Sequence, residues 1–317
     1  MEFLKYIIGA VALGITESLP ISGTGHTLLM EHIFGQGENF RMVLSFLYIG
    51  VLIAVIIAYH KEIWSLITAF FGIFKDVFGG NFSFKRCEKS QNMLITLVVG
   101  LMPLLLVFVP VPGSGRNVFG VAREFWATDN MILLGISFLI NSFLLKLGVD
   151  SFKSDKFKYT YKTADNMVKR WDGRMRLTLM DAVWCGVMQF TALIFPGISH
   201  IGAVFAIGII RGINKKVSLN YSFLLGIPLI ILKLVSEFLF FSKFTDIIHN
   251  VDATAVCVGI LFAAIFGFLF IGIFNKMVQK NKIMIFSIYT VVLGIITLAI
   301  GIFERIYGIH IFQGTVL

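Results

Sequence analysis

Two apolar stretches, residues 3–34 and 180–210, are each interrupted near the middle, and this limits the fold more than any other feature of the chain. Pro20, Ser22, Gly23 and Gly25 break the first; Pro196, Gly197, Ser199 and Gly202 break the second. Neither half of either stretch is long enough to cross a bilayer core, which takes about 20 apolar residues in a helix. Broken helices are tolerated at membrane depth only where they are buried in protein or line a cavity. Around them lie six longer apolar runs, at roughly 42–59, 93–111, 131–147, 221–241, 255–274 and 283–302. Only 14% of the 317 residues are charged, 57% are hydrophobic, and the mean hydropathy is +0.87. A soluble domain carries about 25% charged residues. The expected fold class is therefore an all-α polytopic membrane protein. It is one membrane domain over residues 1–317, with six transmembrane helices and two re-entrant helical hairpins. Glu2 and Lys5 open the first run without the basic start or cleavage site of a signal peptide, so that run is expected to stay in the mature protein.

The net charge of +9 sits in particular loops. Segment 75–92 carries Lys75, Lys85, Arg86 and Lys89, and the long loop 148–178 carries eight bases from Lys153 to Arg176. Arg211, Lys215 and Lys216 follow the second hairpin, and Lys276, Lys280 and Lys282 lie in segment 275–282. Cytoplasmic loops collect Lys and Arg, so all four segments are expected inside and loops 112–130 and 242–254 outside. With no soluble domain to hold a basic face, nucleic acid is not an expected partner. Cys87, Cys185 and Cys257 have no metal spacing and imply no disulfide framework.

These assignments close only if 180–210 leaves the inside and returns to it, and if 3–34 does the same from outside. Residues 63–78, with Trp64, Phe70, Phe71 and Phe74, then lie along the inner interface, and both termini fall outside. The result is a hairpin plus three spans, repeated in opposite orientation over approximately 1–147 and 178–303. A weak local pattern agrees: Gly14, Glu17, Pro20, Ser22 and Gly25 in the first half, and Gly186, Gln189, Pro196, Ser199 and Gly202 in the second. Inverted repeats of this kind hold a central site between the hairpin tips.

Two motifs bear chemistry. From Gly14 to His26 the chain places a carboxylate (Glu17), hydroxyls (Ser22, Thr24) and an imidazole (His26) near one tip. Glu17 either caps a broken helix or serves a site; intramembrane ionisable residues mark function by default, and its polar neighbours favour the site. Ser22 and Thr24 are equally suited to satisfying broken backbone. The second motif runs from Phe195 to Gly202. A Pro-Gly break before a new helix presents N–H groups suited to phosphate, with Ser199 and His200 as added contacts; a kink that merely packs fits the spacing equally well.

These motifs resemble the glutamate-rich and Pro-Gly-x-Ser-Arg-Ser-Gly segments of the bacterial undecaprenyl-pyrophosphate phosphatases, the bacitracin-resistance family. Ser222 to Pro228 resembles the stretch that follows them. The resemblance covers nearly the whole chain and implies a multi-pass protein of the bacterial plasma membrane. Its implied activity is hydrolysis of a polyprenyl pyrophosphate to the monophosphate, which recycles the lipid carrier of cell-wall synthesis and underlies bacitracin resistance. It also implies a divalent cation, Mg or Ca, with Glu17 as its ligand. The implied catalytic groups are Glu17, His26 and Ser22; the phosphate-binding groups are Thr24, Gly197, Ser199, His200 and Gly202. Membrane lipids are the other expected partners, and a homo-oligomer is left open.

This chain departs from the family at several positions. Leu13 stands where the family has a second acidic or amide residue, Gly23 where it has a second serine, His200 where it has arginine and Ile201 where it has serine. Leu44–Gly50 lacks the Glu and Gln of the next span. A histidine has no arginine fork and no permanent charge. With these groups, His26 is the expected nucleophile or general base, oriented by Glu17, and protonated His200 the stabiliser of the leaving phosphate. The alternative is a non-catalytic paralogue that binds or flips a polyprenyl phosphate.

Overall fold

The computed structural model describes residues 2–35, 38–80, 83, 87–127, 130–153, 159–162, 168–171, 173–240 and 252–313. Helices dominate, as the apolar runs require. The first broken stretch forms α1 (Glu2–Ser18) and α2 (Gly23–Phe34), and the second forms α8 (Leu179–Ile194) and α9 (His200–Ile210). Both are hairpins of two short helices, with breaks at 19–22 and 195–199. Gly25 and Gly202 lie one residue or more inside the second helix of each, not in the break itself.

Every expected span is a helix. They are α3 (Glu38–Ala58), α5 (Lys89–Leu101) continued by a 3-10 segment (Met102–Phe108), α7 (Met131–Lys153), α10 (Lys215–Phe240), α11 (Ala253–Gln279) and α12 (Met284–Tyr307). Among the described residues five of them are long and apolar enough to cross a membrane, and α3 passes the same test together with the next helix. That helix, α4 (His60–Phe78), turns away from α3 by 76°. Its Trp64, Phe70, Phe71 and Phe74 are exposed, the arrangement of a helix lying along an interface with its aromatic face in lipid. Two short antiparallel ribbons, Pro110–Val111 with Arg116–Asn117 and Tyr159–Lys162 with Val168–Trp171, and the helix α6 (Val118–Ala127) complete the description. Lys85, Arg86, Lys156 and Lys158, and most of loop 242–254, lie outside the described residues.

In lipid, helices associate by close packing rather than by hiding apolar surface, so small residues mark their crossings. A Cβ on Gly14 would lie 2.6 Å from the Ala263 carbonyl, pressing α1 on α11. A Cβ on Gly186 would lie 2.2 Å from the Gly100 carbonyl, pressing α8 on α5. α3 packs on α10, and α7 on α12, across the middle. Outward-facing Ile136, Ile140, Phe143, Leu261, Ile265, Ile288 and Val292 are exposed and form the lipid-facing surface.

Candidate active site

The two hairpin tips meet. Ser22 is the N-cap of α2: its Oγ accepts from Gly25 N at 3.2 Å and donates to the Pro196 carbonyl of the other hairpin. Ser199 is the N-cap of α9, its Oγ accepting from Gly202 N at 3.1 Å. Fully buried Asn141 of α7 joins both tips, donating to the Pro20 carbonyl (3.0 Å) and accepting from Ser199 N (2.9 Å). Ser22 has φ 71° and ψ 98°, a conformation that costs a non-glycine residue about 1–3 kcal/mol and persists only where its surroundings hold it. The cap, the Pro196 contact and Asn141 provide that hold.

Beside the joined tips lies a cluster of charge. Glu17 Oε1 accepts from Lys233 Nζ at 2.8 Å, and Lys233 Nζ also donates to Thr24 Oγ1 at 2.8 Å. His200 Nε2 is 3.3 Å from the same Glu17 oxygen, close enough for ion pairing but without hydrogen-bond alignment. The Lys233 ammonium also lies 5.2 Å from the centre of the Tyr48 ring. Glu17 and His200 are almost wholly buried, Lys233 slightly less so. A buried charge needs a partner, and here a carboxylate and an ammonium supply each other's.

Gly23 explains how Glu17 reaches this position. A Cβ on residue 23 would lie 1.8 Å from Glu17 Oε2. The carboxylate occupies the space that the family's second serine would need.

His26 is held differently from the expectation. Its Nδ1 is 2.7 Å from the Ser22 carbonyl and its Nε2 is 2.8 Å from the Tyr289 hydroxyl. The carbonyl can only accept, so Nδ1 carries the proton and Nε2 offers a lone pair to the Tyr289 O–H. Glu17 does not orient this ring; backbone does. His26 also stacks on Tyr289 with centroids 5.8 Å apart.

Of the expected site residues, the structure brings Glu17, Thr24 and His200 together around Lys233, with His26 on the same helix as Thr24. It gives the others structural roles. The Ser22 hydroxyl is committed both as donor and as acceptor, which leaves it poorly placed as a nucleophile. Gly197 lies flat on α7, where a Cβ would be 2.6 Å from both Phe138 N and Ser137 Cβ. Gly202 packs on Pro20, and its N–H is capped by Ser199. The Ser199 N–H is likewise taken, by Asn141. Two of the N–H groups expected to meet an anion at the start of α9, those of Ser199 and Gly202, are thus already bonded within the protein.

Sequence reasoning missed Lys233 and Asn141. Both sit inside apolar runs already assigned as spans, and an ionisable or amide residue there was the available signal. Arg211, in a segment expected inside, clamps the base of the second hairpin. Arg211 and Arg174 both bind fully buried Asp181, the latter at 2.8 Å.

The divalent cation that the resemblance implied would have Glu17 as its single carboxylate among the described residues of the cluster, enough only for an ion that keeps waters. Such ions take six or more oxygen ligands, or keep waters held by one or two carboxylates. Among the described residues Glu17 is joined by no second carboxylate, and Lys233 and His200 already crowd its Oε1.

The fold and site define a multi-pass membrane protein with a buried ionic cluster between two re-entrant hairpins. Residues 6–296 match the family described as "Bacitracin resistance protein BacA", and the chain belongs to that family. It is 27% identical over 298 residues to "Undecaprenyl-diphosphatase 3" of Bacillus cereus, covering 94% of this chain and 97% of that one. Over 302 residues it is 26% identical to "Undecaprenyl-diphosphatase" of Korarchaeum cryptofilum, covering 95% and 100%. It is 25% identical over 301 residues to "Undecaprenyl-diphosphatase" of Corynebacterium glutamicum, covering 93% and 89%.

Proposed function

We propose that this protein hydrolyses a polyprenyl pyrophosphate, undecaprenyl pyrophosphate foremost, to the monophosphate at the outer face of a bacterial plasma membrane. Family membership supports the reading, and the observation that carries it is the Glu17–Lys233–Thr24–His200 cluster beside the joined hairpin tips. Lys233 offers a permanent cation to a pyrophosphate. Thr24 accepts from Lys233 and keeps its own O–H to donate to a phosphate oxygen. His26 Nε2, once the Tyr289 O–H turns aside from it, serves as general base. Water attacks the terminal phosphorus, the bridging P–O bond breaks, and the lipid monophosphate leaves with that oxygen. The proton of the attacking water passes to His26 Nε2. Charge developing on the phosphates is neutralised by Lys233 and, when it is protonated, His200. No step needs a resident metal.

Inverted repeats over 1–147 and 178–303 are part of this proposal. The matching crossings of α1 on α11 and of α8 on α5, and the matching Ser22 and Ser199 caps, support them. Both termini then lie outside and the basic loops inside. Cysteine-accessibility labelling that put positions 162 and 119 on the same side would overturn this topology.

The activity test is phosphate release from undecaprenyl pyrophosphate by the purified protein. Release is expected to persist in excess chelator and to be lost in Glu17→Gln. Tight binding without release would make the protein a carrier rather than an enzyme.

A further inference from the structure

At the far end of α2, away from the tips, three side chains from three parts of the chain converge. His32 Nε2, in the last turn of α2, is 2.9 Å from Glu304 Oε1 near the end of α12. His310, in the segment after α12, places Nδ1 3.9 Å from the same oxygen. All three ligand atoms lie within 4.8 Å of one another. His32 and Glu304 are buried, at 1% and 5% side-chain exposure. The surroundings fix their orientation. Ile311 N donates to Glu304 Oε1 at 2.9 Å, and Gln313 Nε2 donates to the His32 carbonyl at 3.2 Å. The two imidazoles meet edge to face at 5.6 Å, with Phe312 against His32 at 5.8 Å.

A buried histidine–glutamate hydrogen bond needs only two of these residues. The third, an imidazole whose nitrogen lies near the shared carboxylate oxygen, is what a metal ion requires. We propose that His32, Glu304 and His310 form a transition-metal site that takes zinc, with water in the fourth position. Imidazole nitrogens and one carboxylate suit zinc, at bond lengths of about 2.0–2.2 Å. Tetrahedral bonds of that length set ligand atoms about 3.3 Å apart. The two separations from Glu304 Oε1, 2.9 and 3.9 Å, fall on either side of that value and all three atoms lie within 4.8 Å, so the site closes on an ion by side-chain shifts that draw the imidazoles inward. Magnesium and calcium prefer all-oxygen sets and do not match it. On binding, the proton that His32 shares with Glu304 leaves to solvent and the metal takes its place.

His32 is nine residues beyond the start of α2, about 14 Å along the helix from the tip. The ion therefore does not act on Glu17. It clips the end of α12 and the segment after it onto α2, holding the outer end of the first hairpin.

The test uses the full-length protein, purified in detergent and stripped with chelator. Titration with Co²⁺ is expected to give one equivalent of binding and the visible absorption of a four-coordinate ion, which Zn²⁺ then displaces. Zn²⁺ is expected to raise the melting temperature. His310→Ala and Glu304→Gln should each weaken binding by at least about tenfold. His310 lies after the last helix and Glu304→Gln keeps the acceptor for Ile311 N, so both variants are expected to fold. Lys233→Met should leave metal binding unchanged. No four-coordinate spectrum, or binding equally strong in both variants, would mean an adventitious ion only and would overturn the site.

Discussion

In both hairpins a serine caps the second helix and a glycine lets the first helix press on a neighbour, yet their buried carboxylates sit at opposite ends. Glu17 lies beside the tip of the first hairpin, paired with Lys233. Asp181 lies at the base of the second, between Arg174 and Arg211 and within the capping box of α8. Where the second motif has the counterpart of Glu17 it has Gln189, fully buried, whose Nε2 reaches the Leu225 carbonyl at 3.2 Å. Its Oε1 has no hydrogen-bond partner among the described residues. The two halves thus share the hairpin architecture but differ in where charge is buried. A charge at the tip lies near the partner hairpin, where the proposed chemistry needs it; a charge at the base, capping a helix and binding two partly exposed arginines, anchors the hairpin. Lys233 belongs with the tip, although it comes from α10 and not from either hairpin.

The largest effect should follow from breaking the tip pair. Glu17→Gln or Lys233→Met is expected to lower turnover by about 10²–10³-fold, while Gln189→Leu keeps most activity. Phosphate-release assays decide it, and equal losses in all three variants would erase the distinction between the hairpins. Next is the reverse exchange. Gln189→Glu puts a carboxylate at the matched position with no cation facing it among the described residues. It is expected to destabilise the protein by about 3 kcal/mol or more, read as a lower melting temperature in detergent. A smaller change is expected from Asp181→Asn. The two arginines, about a third exposed at their side chains, can turn to water, so the cost should be about 1 kcal/mol. Turnover per folded molecule should not change; a loss of turnover matching that of Glu17→Gln would place the base in the chemistry.

The smallest effect concerns pH. A protonated imidazole at His200 adds positive charge beside the bound phosphates and loses it as pH rises, from an unperturbed value of about 6.5. Above the rise that His26 gives as general base, turnover should fall with rising pH, but by less than about tenfold, because Lys233 supplies the main charge. His200→Gln should remove that slope. A wild-type profile that collapses at high pH and is unchanged in Lys233→Met would return the leading role to His200.

The spans and hairpins were legible in the sequence because burial in lipid leaves the backbone little choice. Apolar runs of a given length must be helices, and Pro20 and Pro196 with their neighbouring serines and glycines must break them. Loop charge gave an expected sidedness by the same kind of local rule. Glu17, Thr24 and His200 were legible as polar residues in apolar surroundings.

Much of what each polar residue touches was not legible, because it depends on contacts such as that of His26 with Tyr289, 263 positions apart. Ser22 suited a catalytic hydroxyl and a backbone partner equally, until its O–H was seen to donate to the Pro196 carbonyl. His26 looked like Glu17's partner until the Ser22 carbonyl and Tyr289 took both ring nitrogens. Lys233 looked like one residue of a span until α10 carried its ammonium to Glu17. The sequence by itself determined a membrane-embedded pair of broken hairpins and the polar groups near their tips, since length, hydropathy and helix breakers act locally. Only the tertiary structure decided that the cation beside Glu17 is a lysine from another helix and that the Ser199 N–H is taken by Asn141 of α7. Hydrogen-bond partners in a bilayer are chosen by which helices pack together, and that packing joins residues the linear chain keeps apart.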